Sequence, residues 1–151
     1  MTDLVSRFHL RTAPRLLASA EEAAAALEFA ILAPVFILLG TGMIAYAIYF
    51  GAAHSVQQLA ADAARTSIAG LSTAERQALV TAFLDANADG YVFIDRAHLT
   101  YDLSPRAGDP DEFSVTLHFD ASGLPIWNLD VPLPLPSHTI TYSSMIRLGG
   151  L

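Results

Sequence analysis

A run of 25 consecutive residues without a formal charge, from Phe29 to Ala53, constrains this 151-residue chain more than any other feature of its sequence. At a rise of about 1.5 Å per residue the run makes a helix of about 37 Å, which spans a hydrocarbon core of about 30 Å with some tilt. A secretory signal peptide is the alternative, but its apolar region has only about 7–15 residues and ends at a small-x-small cleavage site. The length therefore favours an anchor that stays in the mature protein. No later window is as long, so the sequence predicts a single span.

Arginines before the run predict how the chain is oriented. Arg7, Arg11 and Arg15 precede it, and no acidic residue lies between Leu4 and Ala20. Because positive residues close to a span tend to stay in the cytoplasm, we predict a cytoplasmic amino terminus and an exported remainder. The net charge of −7 argues against a nucleic-acid partner, since binding to phosphates requires a basic surface. The chain has no cysteine and therefore no disulfide frame.

Beyond the span, apolar residues recur at helical spacing and predict a stalk that continues the membrane helix to Gly70. The residues on this apolar face are Val56, Leu59, Ala60, Ala63, Ala64, Ser67 and Ile68. A second helix is predicted to open at Ser72, because Glu75 three positions later completes a capping box. Two prolines affect the first helix. Pro14 is expected to interrupt any helix before the span, and Pro34 is expected to kink the span itself.

After Gly90 the hydrophobic period changes from 3.6 to 2, which is typical of strands. The strand candidates are His98–Leu103, Phe113–Phe119, Thr139–Ile146 and a shorter one at Tyr91–Ile94. Polar loops are predicted at 104–111 and 121–123. The predicted fold class is α+β: a long N-terminal transmembrane helix that continues into an extracytoplasmic stalk, then a short helix and a small antiparallel sheet of three to four strands. A domain of this size has a core of marginal stability. We therefore expect the domain to dock on the stalk or on a partner.

These features divide the chain into four segments. Residues 1–23 form a basic cytoplasmic leader, 24–53 the transmembrane helix, 54–70 the helical stalk and 71–151 the extracytoplasmic α+β domain. One stretch, Leu124–Pro136, alternates Leu and Pro and favours an extended polyproline-like path. It is either a contact surface for a neighbouring subunit or the membrane, or an edge connection packed on its own sheet.

Glu28 stands immediately before the uncharged run. Burying a carboxylate at the edge of such a span costs on the order of 2–3 kcal/mol unless the group finds a partner. Two interpretations follow from the residues alone. Glu28 either lies at the headgroup level as a boundary residue, or is held inside an assembly and paired with a cation from another chain.

The run AAAALEFAILAP, from Ala23 to Pro34, resembles the start of the TadE-like family of pseudopilins, membrane proteins of bacterial tight-adherence pilus systems. The segments SVQQLAADAAR (55–65) and SSMIR (143–147) are similar to the family's helix after the span and to its last strand. The resemblance implies that a prepilin peptidase cleaves between Ala23 and Ala24, which leaves Glu28 as the fifth residue of the mature chain and Glu28 and Phe29 as assembly residues. Position 23 carries Ala where the family usually has Gly.

The resemblance implies a non-enzymatic pseudopilin or minor pilus component in the bacterial inner membrane that assists assembly or anchoring of a tight-adherence (Flp-type) pilus. Its partners would be other pilus subunits, an inner-membrane assembly platform and the prepilin peptidase. The alternative is a membrane-tethered extracytoplasmic binding module unrelated to pili. Small residues four apart, Ala26 with Ala30 and Ala47 with Gly51, are candidates for helix packing.

One segment carries a possible metal motif. Asp85, Asn87 and Asp89, followed by Gly90, match the first half of a calcium loop, to which Asp95 would add a ligand. The twelfth position, however, is Arg96 where a bidentate Glu is needed, so a helix end leading into a tight turn is the competing interpretation.

Catalytic motifs and zinc spacings are missing from the sequence, and nothing in it predicts a base beside a nucleophile. His98 and His118 would meet only if adjacent strands brought them together. We therefore expect neither enzymatic activity nor a cofactor.

Overall fold

The computed structural model describes residues 13–106, 109–128 and 135–147. Its helices are α1 (Ala13–Ser67) and α2 (Thr73–Asn87), and its strands are β1 (Leu99–Arg106), β2 (Asp109–Asp120) and β3 (Thr139–Arg147). Short 3₁₀ turns lie at Ala88–Gly90, Arg96–His98 and Pro125–Asn128. A long apolar helix, a second helix and a three-stranded antiparallel sheet confirm the predicted α+β class.

The chain divides into two compact units, Met1–Thr41 and Gly42–Leu151. The described part of the first unit consists of α1 alone. From residue 22 to 41 its side chains are exposed on every side, apart from half-buried Ala33 and Gly40. This helix is long and apolar enough to cross a membrane, and no other described helix is. It fits a single-pass membrane protein.

Both prolines of α1 are accommodated within the helix. Pro14 is the second residue of α1 as the structure describes it, and a proline is tolerated in the first turn of a helix because backbone N–H groups have no partner there. Because residues 1–12 lie outside the described residues, the interruption of an earlier helix at Pro14 stays a prediction. The helix also continues through Pro34. Most of the predicted basic leader, including Arg7 and Arg11, lies outside the described residues.

In the second unit, the predicted stalk forms one wall of a hydrophobic core. All of its predicted apolar residues are buried except Ile68, and they pack with α2 and the inner face of the sheet. The residues of this core with no exposed surface include Val56, Leu59, Val80, Leu84, Leu117 and Ile126. Alanines at 52, 60, 63 and 64 are buried as well, and such small side chains let other elements approach the helix backbone closely. The marginal sheet thus docks on its own helix, as predicted.

Local hydrogen bonds define the start of α2. The side chain of Ser72 accepts a hydrogen bond from the backbone N–H of Glu75 (3.2 Å), as the capping box predicts. The Glu75 carboxylate accepts from the N–H of Leu71 (2.9 Å), one residue before the cap. Ser72 and Glu75 therefore together fix the turn between α1 and α2.

The sheet has the order β1-β2-β3, with both neighbouring pairs antiparallel. Its strands are longer than predicted: β1 extends to Arg106 and β2 begins at Asp109, so the predicted polar loop 104–111 is largely strand. Pro105 is tolerated because β1 is an edge strand, and the register shifts between Pro105 and Arg106.

Two further predictions are wrong. Tyr91–Ile94 is a turn rather than a strand, because local bonds from Tyr91 N–H to Ala88 (3.1 Å) and from Ile94 N–H to Tyr91 (3.2 Å) satisfy its backbone. The Leu-Pro stretch does not begin as an extended path, because Pro125–Asn128 forms a 3₁₀ turn that buries Ile126. Residues 129–134 of that stretch lie outside the described residues.

Candidate functional site

Glu28 lies on the exposed part of α1, among apolar side chains that have no cover from the described chain. Its neighbours Leu27, Phe29 and Ile31 are all largely exposed. Within residues 22–105, 112–128 and 135–147, whose side chains are described, Glu28 has no ion-pair or hydrogen-bond partner. A carboxylate placed in this way in a membrane needs a partner from outside the described chain, or contact with the headgroups.

The predicted cleavage residues and one predicted packing pair lie on the same part of α1. Ala23 and Ala24 are exposed, and the helix runs continuously through the bond that joins them. Ala24 precedes Glu28 by four residues, so the two lie on one side of the helix, one turn apart. Ala26 and Ala30 are exposed as well and leave a small-residue stripe open for another helix.

The second predicted packing pair is used differently. Ala47 is exposed, but Gly51 is half-buried against Phe93 of the same chain. A Cβ atom on Gly51 would lie 3.0 Å and 3.2 Å from two carbons of the Phe93 ring. The structure thus gives Gly51 a contact within the chain, at the place where the sequence predicts helix association.

The predicted calcium residues do not converge on a common point. Arg96 donates from Nε to Asp85 Oδ1 (2.8 Å) and from its backbone N–H to Asp89 Oδ1 (2.7 Å). Asn87 donates its side-chain amide to the Phe83 carbonyl (2.8 Å), and Asp95 caps the 3₁₀ turn at Ala97. Over the described residues, no group of three or more His, Asp or Glu side chains is arranged to hold a metal. The calcium motif requires a carboxylate at its twelfth position, and the structure has there the Arg96 guanidinium, which contacts Asp85.

The outer face of the sheet carries a polar cluster that the sequence analysis missed. His118 contacts Thr141 Oγ1 through Nδ1 (2.9 Å) and Asp102 Oδ2 through Nε2 (3.1 Å). Next to it, Ser143 Oγ lies 2.6 Å from Ser114 Oγ and accepts from Thr116 Oγ1 (3.1 Å). The strand register creates this cluster, since Thr116 pairs with both Asp102 and Ser143. The sequence shows which residues alternate within each strand, but it does not show how neighbouring strands pair.

This cluster corrects the prediction that nothing places a base beside a hydroxyl group. It lies on an exposed sheet surface, and the described pocket of about 190 Å³ is lined by other residues, among them Phe93, His98 and Phe119. His98 contacts Asp95 (3.2 Å), so His98 and His118 each contact a separate carboxylate. The cluster offers a row of hydrogen-bonding groups.

Comparison with known proteins finds a similarity that lies within the first helix. Residues 23–65 match the model of a family described as TadE-like protein. No curated protein and no solved structure matches the chain. The matched segment starts at the predicted cleavage junction, includes Glu28 and the whole uncharged run, and ends at Arg65 in the buried part of α1, well under half of the chain. Over residues 23–65 the chain is therefore similar to TadE-like proteins, which agrees with the resemblance seen in the sequence.

Proposed function

We propose that this protein is a pseudopilin or minor component that assists the assembly or anchoring of a tight-adherence pilus, and that it acts through protein contacts without turnover. It would lie in the bacterial inner membrane with its amino terminus in the cytoplasm and residues 54–151 in the periplasm. The observation that carries the proposal is Glu28: an exposed carboxylate without a described partner, on an apolar helix and inside the family match.

The mechanism follows from the cost of that carboxylate. In an apolar environment it costs on the order of 2–3 kcal/mol, and pairing with a cation offsets the cost. Peptidase cleavage before Ala24 would create an ammonium group one helical turn from Glu28. That amine, on the same or a neighbouring subunit, is the partner we propose, with Phe29 and the Ala26–Ala30 stripe packing beside it. The other partners would be pilus subunits and the assembly platform.

The test is Glu28→Ala, with Glu22→Ala as the matched control, because Glu22 is an exposed acid of the same helix that precedes the cleavage junction. We expect both variants to remain in the membrane after carbonate extraction. Only Glu28→Ala should lose co-isolation with pilus subunits and surface fibres. Glu28→Gln should behave like Glu28→Ala, since it keeps the shape and removes the charge. Normal assembly by both Glu28 variants would make Glu28 a boundary residue and refute the mechanism.

Mass spectrometry of the purified protein tests the cleavage step separately. A mature chain that starts at Ala24 supports the proposal. An intact chain that starts at Met1, in cells whose peptidase processes other pilins, would contradict the proposed amine partner.

A tethered extracytoplasmic binding module is the second candidate function, and the polar outer face of the sheet favours it. The polar residues of this face include Thr100, Asp102, Ser104, Ser114, Thr116, His118, Thr141 and Ser143. A ligand rich in hydroxyl groups, such as a cell-wall glycan, suits this row of donors and acceptors. Thr116→Val with Ser143→Ala should abolish binding to isolated cell wall while leaving pilus assembly intact. Unchanged binding would exclude this role.

A further inference from the structure

Three large apolar side chains are exposed near the carboxyl end of the uncharged run: Phe50 (63% exposed), Val92 (62%) and Phe93 (47%). Phe50 belongs to α1, and the other two belong to the turn that precedes β1. We propose that these residues, the membrane-proximal patch, insert into the lipid headgroup layer and seat the second unit on the membrane that α1 enters. The inference requires α1 to enter a membrane, but it does not require the pilus role.

The contact between Phe93 and Gly51 places the patch at this level of the helix. The ring of Phe93 packs against the backbone of Gly51, two residues before the uncharged run ends at Ala53. Counted from Phe29, Phe50 lies 21 residues further along the helix, or about 32 Å at 1.5 Å per residue. Since a hydrocarbon core is about 30 Å thick, a helix that enters at Phe29 leaves it close to Phe50.

The backbone of the turn is strained at Phe93, one of the residues of the membrane-proximal patch. Phe93 has φ = 63°, and no other non-glycine residue in the described chain has a positive φ. For a bulky L-residue this conformation costs about 1–2 kcal/mol. Tyr91 and Ile94 fix the two ends of the turn: the Tyr91 hydroxyl donates to Asp62 Oδ2 (2.7 Å) and Ile94 is buried. The ring of Phe93 remains half exposed, so burial within the chain offsets only part of the strain, and lipid contact would supply the rest.

Aromatic residues elsewhere at this helix level fit an interfacial position. The Tyr49 hydroxyl donates to the Ser137 carbonyl (2.9 Å), and Trp127 packs edge-on against the Tyr49 ring with the centroids 6.4 Å apart. The Trp127 ring also stacks on His138, with the centroids 3.6 Å apart. Tyr and Trp are enriched where a span meets the headgroups.

Nearby charges define the kind of lipid. Asp95, His98 and Asp120 line the pocket that Phe93 also lines. Hydrogen bonds from Ser122 lower the pKa of Asp120 and so favour its charged form. Two carboxylates beside the patch repel anionic headgroups, so we expect the patch to bind zwitterionic lipid and to gain nothing from added anionic lipid.

The experiment uses the full chain in phosphatidylcholine vesicles and exploits the absence of cysteine. A fluorescent probe is attached at Val92→Cys or Phe50→Cys. The aqueous control is Leu71→Cys, on a residue that is 92% exposed between the helices, and the lipid control is Phe36→Cys within the span. Quenching by spin-labelled lipid is compared with quenching by iodide in the buffer. A label on position 92 disturbs little, because the side chain already points away from the core.

We expect probes at 50 and 92 to be quenched more by shallow lipid spin labels than by iodide, and the probe at 71 to show the reverse. Equal iodide quenching at 92 and 71, with lipid quenching intact at 36, would overturn the inference while α1 remains inserted. Loss of lipid quenching at 36 as well would refute membrane insertion and, with it, both proposals. Excimer formation between pyrene-labelled chains at position 92 without lipid quenching would show that a second copy covers the patch, which also overturns it.

Discussion

The arginine at the twelfth position of the calcium-like motif allows a direct test of what the acidic residues after α2 do. Arg96→Glu completes the motif in sequence, because it supplies the carboxylate that a calcium loop requires. In the structure, however, the Arg96 guanidinium donates from Nε to Asp85 and from Nη1 to the Leu99 carbonyl (2.8 Å each). The substitution removes both bonds and places a carboxylate near Asp85 and Asp89.

The expected loss of stability follows from these contacts. The ion pair with the exposed Asp85 is worth at most about 1 kcal/mol. The bond to the partly buried Leu99 carbonyl involves a charged donor and contributes about 1.5 kcal/mol. Together they amount to about 2 kcal/mol before charge repulsion is added. In a unit of this size that lowers the melting temperature by about 8 °C.

The assay is thermal unfolding followed by circular dichroism, with and without millimolar calcium. Arg96→Gln separates loss of the guanidinium from reversal of charge, and Arg65→Gln is the matched control because Arg65 makes one exposed pair with Asp62 (2.8 Å). We expect Arg96→Glu to melt lower than Arg96→Gln, Arg65→Gln to stay near the parent, and calcium to rescue none of them. A calcium-dependent rise in the midpoint of Arg96→Glu would refute the reasoning and show that the loop is built for a metal.

Two other substitutions test the packing of the second unit. Burial, and then the hydrogen bond and charge of Asp62, raise the pKa of Tyr91 to about 12 from an unfolded value of 10. The stability that protonated Tyr91 contributes is therefore full below pH 10 and is lost as the pH rises to 12. Between these pH values the free energy of unfolding in urea should fall less for Tyr91→Phe than for the parent. A Cβ on Gly70 would lie 2.8 Å from the Arg76 backbone nitrogen, so Gly70→Ala should cost about 1–3 kcal/mol in the same assay. Gly123→Ala, where a Cβ meets nothing within 4 Å, should cost far less, and equal losses would contradict the steric argument.

Elements defined by local chemistry were predictable from the sequence. The period-2 patterns of 113–119 and 139–146 fall inside β2 and β3, and Ser72 caps α2 as its spacing predicts. Errors arose where a distant residue decides the conformation. In the alternating segment 91–94, local backbone bonds form a turn, and the Tyr91 side chain is also held by Asp62, 29 positions earlier in the chain. Periodicity gives no information about such a partner.

The same distinction applies to the candidate site. Glu28 could be singled out from the sequence because the absence of charge after it is visible there directly, while its role stays a prediction. The cluster of Asp102, His118 and Thr141 was not, because one residue comes from each strand and a shift of one residue would send His118 to the other face. The role of Gly51 also could not be predicted, because it depends on a contact with Phe93, which lies 42 positions later in the chain.

The energetics of α1 show why the segment 22–41 requires a solvent other than water. Its large exposed apolar residues are Leu27, Phe29, Ile31, Leu32, Val35, Phe36, Ile37, Leu38 and Leu39. Each is worth about 1.5–3 kcal/mol when fully buried, so at roughly half exposure the nine leave on the order of 10 kcal/mol unrealised. That is as large as the whole stability of a typical domain, so lipid or partner helices must cover this surface. The hydroxyl of Thr41, two residues after Leu39, donates to the helix carbonyls of Ile37 and Leu38 (2.9 and 3.0 Å). Glu28 cannot do the same, because a carboxylate has no proton to donate to a carbonyl, so in a membrane it needs either headgroup contact or the outside cation that we propose.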